Sequence, residues 1–114
     1  MKDEPQIDVE AVRAKLLARL GELDDMSRGN REARAPVQLD QASVGRLSRM
    51  DAMQGQAMAL EAERRRVTER RRIEQALRRM DEDEYGWCAK CGEPIGAKRL
   101  ELDPAIAICI NCAR

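Results

Sequence analysis

Four cysteines near the end of the sequence are the side chains with the clearest chemistry. Cys88 and Cys91 form one CxxC pair, Cys109 and Cys112 form a second, and 17 residues separate the two pairs. Two intervening residues allow a tight turn to aim both sulfurs at one ion, and two such turns supply a tetrahedral zinc site. Because four protein ligands leave no open position for a reacting water, the spacing predicts a structural zinc ion.

The segment between the cysteine pairs is expected to cover the metal. Gly92 follows the second thiolate, where such a turn favours a positive φ. Pro94, Gly96 and the Asp103-Pro104 dipeptide are turn signals that leave room for a short β-hairpin. The apolar residues that can cover the site are Trp87, Ile95, Leu100, Leu102, Ile106 and Ile108.

Other chemistry for paired cysteines stays open at this point: a redox dithiol, disulfides or an iron–sulfur cluster. A thioredoxin-like CxxC normally sits within a βαβ pattern, which this sequence lacks. The chain contains no histidine, which excludes Ser-His-Asp and Cys-His catalysis and HExxH metal sites. Walker-type and dinucleotide-binding glycine patterns are also missing. We therefore expect a protein that is not an enzyme.

The composition describes the elements that must hold the cysteine module. Of 114 residues, 43% are apolar and 37% charged, with no Phe, one Trp and one Tyr. So few aromatic residues disfavour a broad core, and dense charge on aliphatic periodic segments is typical of long helices or coiled coils. Lys plus Arg and Asp plus Glu both number 21, which argues against nonspecific nucleic-acid binding.

Two helices of unequal length are predicted ahead of the cysteines. Asp8 caps the first, whose apolar residues recur every three or four positions, and Gly29 with Asn30 ends it. After a loop, Asp40 or Ser43 caps the second, which extends to about Glu84 and measures roughly 65 Å. The heptad stripe of the second helix consists of Met50, Met53, Ala57, Leu60 and Val67, before it changes phase to Ile73, Leu77 and Met80.

These patterns predict a mainly α fold. The second helix folds back on the first as an antiparallel helical hairpin, a coiled-coil arm, and a small four-cysteine zinc-finger module follows. We expect the arm to span residues 1–84 with its tip near 27–43, and the module to span 85–114. The shifted stripe on the second helix is expected to face the module.

Arginines dominate one stretch of the second helix. They form a candidate basic docking face for an acidic protein surface, although a solvated, ion-paired face and a nucleic-acid contact are alternatives. Aromatic residues that could stack on bases are missing from this stretch. The residues of the candidate face are Arg64, Arg65, Arg66, Arg70, Arg71 and Arg72.

The sequence shows no targeting or membrane segment. Residues 1–10 are polar and acidic, where a secretory signal needs a basic end followed by an apolar run. No apolar stretch approaches the roughly 20 residues of a membrane helix. We expect a cytoplasmic protein, a compartment in which paired cysteines bind metal more often than they form disulfides.

Residues 81–112 resemble the DksA/TraR family of bacterial transcription regulators. The similarity is carried by the acidic run 81–84 and by the motifs Tyr-Gly-Trp-Cys-Ala-Lys-Cys-Gly over 85–92, Ile-Gly at 95–96, Arg-Leu at 99–100 and Cys-Ile-Asn-Cys over 109–112. The resemblance implies a protein that binds RNA polymerase rather than a DNA sequence. Its arm would enter the secondary channel and its tip would modulate initiation, often together with the alarmone ppGpp.

The family's tip motif, Asp-x-x-Asp-x-Ala, is only partly matched. Asp40 and Ala42 occupy the second acidic position and the alanine, but Val37 occupies the first acidic position. Asp40 and Ala42 are therefore the candidate tip residues, although Asp40 can also serve simply as a helix cap. Because the sequence ends two residues after Cys112, alarmone contacts made by later segments of other members are not carried over. The alternative functions are a DNA-binding zinc protein that uses the Arg-rich helix and a redox-sensing dithiol protein.

Overall fold

The computed structural model describes residues 7–37 and 46–114, apart from the side chains of residues 46 and 47. Within these ranges the fold is mainly helical, as predicted. None of the helices among these residues has the length and apolar character needed to cross a bilayer. The helices are α1 (Val9–Gly29), α2 (Arg31–Arg34), α3 (Arg46–Asp81), α4 (Ala97–Leu102) and α5 (Ile110–Ala113).

The predicted signals at both ends of α1 are present in the structure. The carboxylate of Asp8 accepts a 3.2 Å hydrogen bond from the backbone N–H of Ala11, which satisfies one of the unpaired donors of the first turn. The helix ends at Gly29, as expected. The predicted loop, however, contains the short helix α2 directly after Asn30.

The long helix α3 has 36 residues, about 54 Å at 1.5 Å per residue. Its end lies before the predicted Glu84, because Asp83 adopts a left-handed φ of 59°. The N–H of Asp83 bonds to the Met80 carbonyl at 3.3 Å, and that of Glu84 bonds to the Arg79 carbonyl at 2.8 Å. This is the Schellman pattern of helix termination. The predicted caps Asp40 and Ser43 lie outside the described residues.

The chain divides into two compact units: Met1–Gly21 with Arg70–Arg114, and Glu22–Glu69. The first contains the cysteine module, the start of α1 and the end of α3. Its core includes the part of α3 where the apolar stripe changes phase. The buried apolar residues described in this unit are Leu16, Ile73, Ala76, Met80, Tyr85, Cys88, Ile95, Leu100, Ala105 and Cys109.

The second unit contains the end of α1, α2 and most of α3. Leu23 is fully buried here, but Met50 and Met53 of the predicted seam are more than half exposed. The reason lies in helix lengths: Gln56 already bonds the Ala35 carbonyl beyond the end of α2, at 2.9 Å. Among the described residues, no helix remains opposite the earlier turns of α3.

Candidate metal centre

A tight turn carries the first cysteine pair. The Cys88 N–H donates to the Glu93 carbonyl at 2.7 Å, and the Gly92 N–H returns to the Cys88 carbonyl at 3.0 Å. Gly92 has a φ of 81°, which a side chain would strain. The turn therefore requires the glycine that follows the CxxC motif, as the sequence predicted.

The second cysteine pair lies on the short helix α5. Cys109 precedes the helix, and its carbonyl accepts the N–H groups of Cys112 and Ala113 at 3.1 and 3.0 Å. A backbone hydrogen bond of 2.7 Å from Ala89 to Ala107 ties the chain of one pair to the chain before the other. Two local turns thus present their sulfurs to the same point.

The four sulfur atoms have the spacing of a tetrahedral zinc site. The Sγ atoms of Cys88, Cys91, Cys109 and Cys112 all lie within 4.8 Å of one another, and those of Cys91 and Cys109 are 3.6 Å apart. Four sulfurs at about 2.3 Å from one ion would be about 3.8 Å apart. The residues therefore fit zinc without rearrangement of the backbone.

Backbone dipoles also favour thiolates at this site. Burial raises the pKa of the Cys88 thiol, but backbone N–H donors of Cys91, Cys109 and Lys90 outweigh it and lower the pKa to about 5. Hydrogen bonds among the sulfurs, with Cys88 first, raise the pKa of Cys112 to about 12. Four adjacent thiolates repel one another, and a divalent cation is the group that would allow all four to ionise.

Between the cysteine pairs the structure differs from the predicted hairpin. Trp87 and Pro94 form an isolated antiparallel bridge, and helix α4 follows. Its residues, including Lys98, Arg99 and Leu100, are good helix formers. Since residues two apart point in different directions on a helix, Leu100 is buried and Leu102 is exposed. The other apolar residues that were predicted to cover the metal site are at least half-buried: Ile95 is buried, and Trp87, Ile106 and Ile108 are half-buried.

Polar contacts that the sequence analysis missed attach the module to α3. Arg79 donates to the carbonyl of Trp87, and Arg72 pairs with Asp103 at 2.5 Å. Within the module itself, the hydroxyl of Tyr85 donates to the Pro104 carbonyl at 2.8 Å. No local signal could have found these pairs, because the Arg72 and Asp103 positions are 31 residues apart in sequence.

The arginines of the candidate basic face have different environments. Arg64 and Arg65 are exposed, and both pair with Glu61. Arg66 pairs with Glu63 at 3.0 Å and its side chain is only 14% exposed. Arg72 is held by Asp103, as described above, Arg71 is exposed and Arg70 has an interaction partner. The candidate tip residues Asp40 and Ala42 lie outside the described residues.

Comparison with known proteins gives matches to one family. The family model of prokaryotic dksA/traR C4-type zinc fingers matches residues 83–114. The RNA polymerase-binding transcription factor DksA of Haemophilus influenzae is 45% identical over 42 residues, which cover 37% of this chain and 29% of that protein. DksA of Escherichia coli K12 is 38% identical over 42 residues, 37% of this chain and 28% of that protein. The matched segment thus spans less than a third of these relatives.

A solved structure extends the similarity to the fold. Transcription factor DksA2 from Pseudomonas aeruginosa matches with a TM-score of 0.72 and 26% sequence identity, covering 95% of this chain and 88% of that one. The C4-type finger and the four clustered sulfurs assign a structural zinc ion to the module. Residues 83–114 thus match the C4-type zinc finger of DksA/TraR proteins, and the fold that carries the finger is similar to that of DksA2 over nearly the whole chain.

Proposed function

We propose that this protein is a DksA-like regulator that binds RNA polymerase through the secondary channel and modulates initiation with the tip of its helical hairpin. The observation that carries this proposal is the fold shared with DksA2 over 95% of the chain. Relatives that match the finger are named RNA polymerase-binding transcription factors. In this proposal the protein catalyses no reaction and acts in the cytoplasm by contact with polymerase.

The zinc ion has a mechanical role in this proposal. Cys88, Cys91, Cys109 and Cys112 hold it, and the ion supplies a cross-link between two segments that have little other structure. The module of 85–114 then forms a rigid base for an arm of 1–84. Contacts such as that of Arg79 with Trp87 transmit this rigidity to the end of α3.

The proposed tip residues are Asp40 and Ala42, which match the family motif. Val37 occupies the place of the first acid and is half-buried. A single tip carboxylate should act on polymerase more weakly than two, since each charge contributes to the interaction at short range. The strength of regulation, rather than its existence, is where this chain should differ from members with both acids.

The test is in-vitro transcription with purified bacterial polymerase, with and without the zinc-loaded protein and with and without ppGpp. We expect a change in promoter output and a measurable affinity for polymerase in the absence of promoter DNA. Activation and repression would both support the proposal. Unchanged output together with absent polymerase binding would contradict it.

Two variants address the tip directly. Asp40→Asn should preserve zinc content, helicity and polymerase affinity but reduce the effect on output, whereas Asp51→Asn, an exposed carboxylate further along α3, is the matched control. Val37→Asp restores the first acid of the motif and should increase the effect. Identical output from Asp40→Asn and the wild type would leave Asp40 only the role of a helix cap.

We also propose that the exposed arginines of the basic face contact an acidic protein surface; these are Arg64, Arg65, Arg71 and Arg72. Aromatic residues that could stack on bases are missing from this stretch of α3. Sequence-specific DNA binding is therefore not part of the proposal. Gel-shift binding to DNA that weakens steeply with salt would contradict this.

A further inference from the structure

A group of charged side chains joins α1, α2 and α3 within residues 22–69. Ser27 Oγ donates a 2.8 Å hydrogen bond to Glu63 Oε1, and Arg66 Nε donates one of 3.0 Å to the same oxygen. Arg34 Nε lies 4.0 Å from that oxygen, and its Nη2 donates to the Ser27 carbonyl at 2.6 Å. One carboxylate oxygen thus serves groups from three helices, and we call these four residues the Glu63 cluster.

Further polar contacts continue along the same side of α3. The side-chain amide of Asn30 donates to the Ala59 carbonyl at 3.1 Å. The amide of Gln56 donates to the carbonyls of Arg34 and Ala35 at 3.4 and 2.9 Å. Together with the Glu63 cluster, these contacts attach the end of α1 and all of α2 to three successive turns of α3.

Few of the described apolar side chains in this unit are fully buried. Among the described residues of 22–69, Leu23 is the buried apolar side chain, and Ser27 is the buried polar one. Apolar burial is non-directional, so one leucine defines the register of two helices poorly. Buried polar groups specify register well, because their partners must meet at particular positions.

The charges of the cluster are not balanced. Two guanidinium groups face one carboxylate, and in the described part of the chain Arg34 Nε and Arg66 Nη2 are buried without a hydrogen-bond partner. Burial raises the pKa of Glu63, but the hydrogen bonds from Ser27 and Arg66 and the charge of Arg34 outweigh it and lower the pKa below its ordinary value. Loss of this one negative charge would leave two cations facing each other.

We infer that the Glu63 cluster is a positioning device, which sets the register of α1 and α2 on α3 within this unit. By doing so it positions the end of α2 on α3, and the chain continues from there to the proposed tip residues Asp40 and Ala42. The consequence for transcription rests on the proposed function, whereas the register itself does not. Glu63 is thus a positioning residue that acts on the tip without contacting polymerase.

The first test measures the register in the free, zinc-loaded protein by hydrogen exchange. Glu63→Gln should speed the exchange of the backbone amides of residues 30–35 by about tenfold, since their attachment to α3 is weakened. Glu61→Gln is the matched control, because among the described residues Glu61 pairs with exposed arginines near it on the same helix. Equal exchange in the two variants would overturn the inference.

The second test compares polymerase binding with transcription output. Glu63→Gln should bind polymerase within about twofold of the wild type but lose about tenfold of its effect on output at saturation, since small displacements of an acting group are costly. A parallel loss of binding and effect would overturn the positioning role. If the wild type has no effect on transcription, the proposed function fails, and the exchange data still decide whether the cluster sets the register.

A double variant separates positioning from stability. Glu63→Met with Arg66→Met removes the carboxylate and one of its two guanidinium partners, so a single unpaired cation, Arg34, remains where Glu63→Gln leaves two. The thermal midpoint of the double variant should therefore lie closer to the wild type than that of Glu63→Gln. The double variant still lacks the Glu63 cluster, however, so its amides at residues 30–35 should exchange as fast as those of Glu63→Gln, and its effect on transcription should stay reduced. If the effect on transcription recovered together with the thermal midpoint, the cluster would only stabilise the fold.

Discussion

In the unit formed by 1–21 and 70–114, α1, α3 and the cysteine module bury a continuous set of apolar side chains, among them Ile73, Met80 and Leu100. In the unit formed by 22–69, Leu23 is buried among the described residues, and the Glu63 cluster together with amide-to-carbonyl bonds joins α1, α2 and α3. Both units pair the same two long helices. They differ in whether apolar area or directional bonds hold those helices together.

This difference indicates separate requirements in the two units. Apolar burial does not depend on any single charge, and a structural metal adds a large binding free energy, so together they give a stable base. Polar clusters contribute less free energy but specify one arrangement, and they respond to the loss of a single charge. Apolar burial with a metal suits a module that must remain folded, and a polar cluster suits a segment whose position matters.

The largest expected effect is loss of the zinc ion from the first unit. Cys91→Ser should release zinc and unfold 85–114, because a structural zinc ion contributes apparent binding energies of about 10–16 kcal/mol in finger peptides. Metal content and the fluorescence of Trp87, the one tryptophan, measure this, while far-UV dichroism should retain much helix. Lys90→Ala, at an exposed position inside the same CxxC motif, should keep its zinc. One full equivalent of zinc in Cys91→Ser would refute the four-thiolate site.

A cavity in the first unit should have the next largest effect. Ile73 is 2% exposed, and Ile73→Ala should lower the free energy of unfolding by about 3 kcal/mol through lost burial and an unfilled cavity. Denaturation followed by Trp87 fluorescence measures it. Met58→Ala, at an exposed site on the same helix, should change stability by less than about 0.5 kcal/mol. Equal losses in both variants would mean that the first unit lacks the apolar core described here.

Removal of the Glu63 charge should have an intermediate effect, confined to the second unit. Glu63→Gln should cost about 2 kcal/mol, the scale of a hydrogen bond to a charged group. Because the folded pKa of Glu63 lies below its ordinary value of 4.5, this stabilisation is present above that value and is lost as the pH falls through the folded pKa. Exchange at residues 30–35 should therefore differ between the wild type and Glu63→Gln near neutral pH and converge in acid. Any release of zinc in acid affects Glu61→Gln as well, so this variant controls for it. A difference in exchange between the wild type and Glu63→Gln that persists in acid would contradict this account.

The smallest expected effect concerns the polar bond at Tyr85 in the first unit. Burial and then the charge of Asp103 raise the pKa of Tyr85 to about 12. Its contribution to stability is present below the ordinary pKa of 10 and is lost as the pH rises through the folded value. Tyr85 is the one tyrosine of the chain, so ultraviolet absorbance reports its ionisation directly. Tyr85→Phe should cost about 1 kcal/mol.

The unfolded module provides the control for that titration. In Cys91→Ser, where 85–114 should be unfolded, Tyr85 should ionise near its ordinary value. A tyrosine that titrates near pH 10 in the zinc-loaded protein would mean that its hydroxyl is not held by Pro104 as the structure shows.

Short-range sequence patterns predicted features whose partners lie within a few residues. The cap at Asp8, the end of α1 at Gly29 and the positive φ of Gly92 depend on adjacent backbone groups, so residue type and spacing suffice. The two CxxC pairs belong here as well, because each aims its sulfurs through its own turn. The end of α3 was missed by a few residues, because the termination depends on Asp83, a residue type that adopts a left-handed φ only occasionally.

Predictions that needed a partner from a distant segment were less successful. The heptad pattern of Met50 and Met53 indicates a shared face but not the length of the helix opposite, and both residues are exposed. Turn signals in 93–108 were compatible with a hairpin, but the helix-forming residues 97–102 form α4, and Leu102 is exposed to solvent on this helix. An Arg-rich run likewise does not show which arginines are already paired.

The amino-acid sequence alone specified a mainly helical chain with a four-cysteine zinc module, because periodicity and ligand spacing are local properties that no distant contact has to supply. The apolar core around Ile73, the attachment of the module through Arg72, and the Glu63 cluster arise when side chains that are distant in sequence meet; Ser27 and Glu63, for example, are 36 positions apart. Such contacts depend on helix lengths and register, which are determined only when the whole chain packs. The same carboxylate that a local pattern shows as half of an ion pair thus becomes, after folding, the point at which three helices are joined.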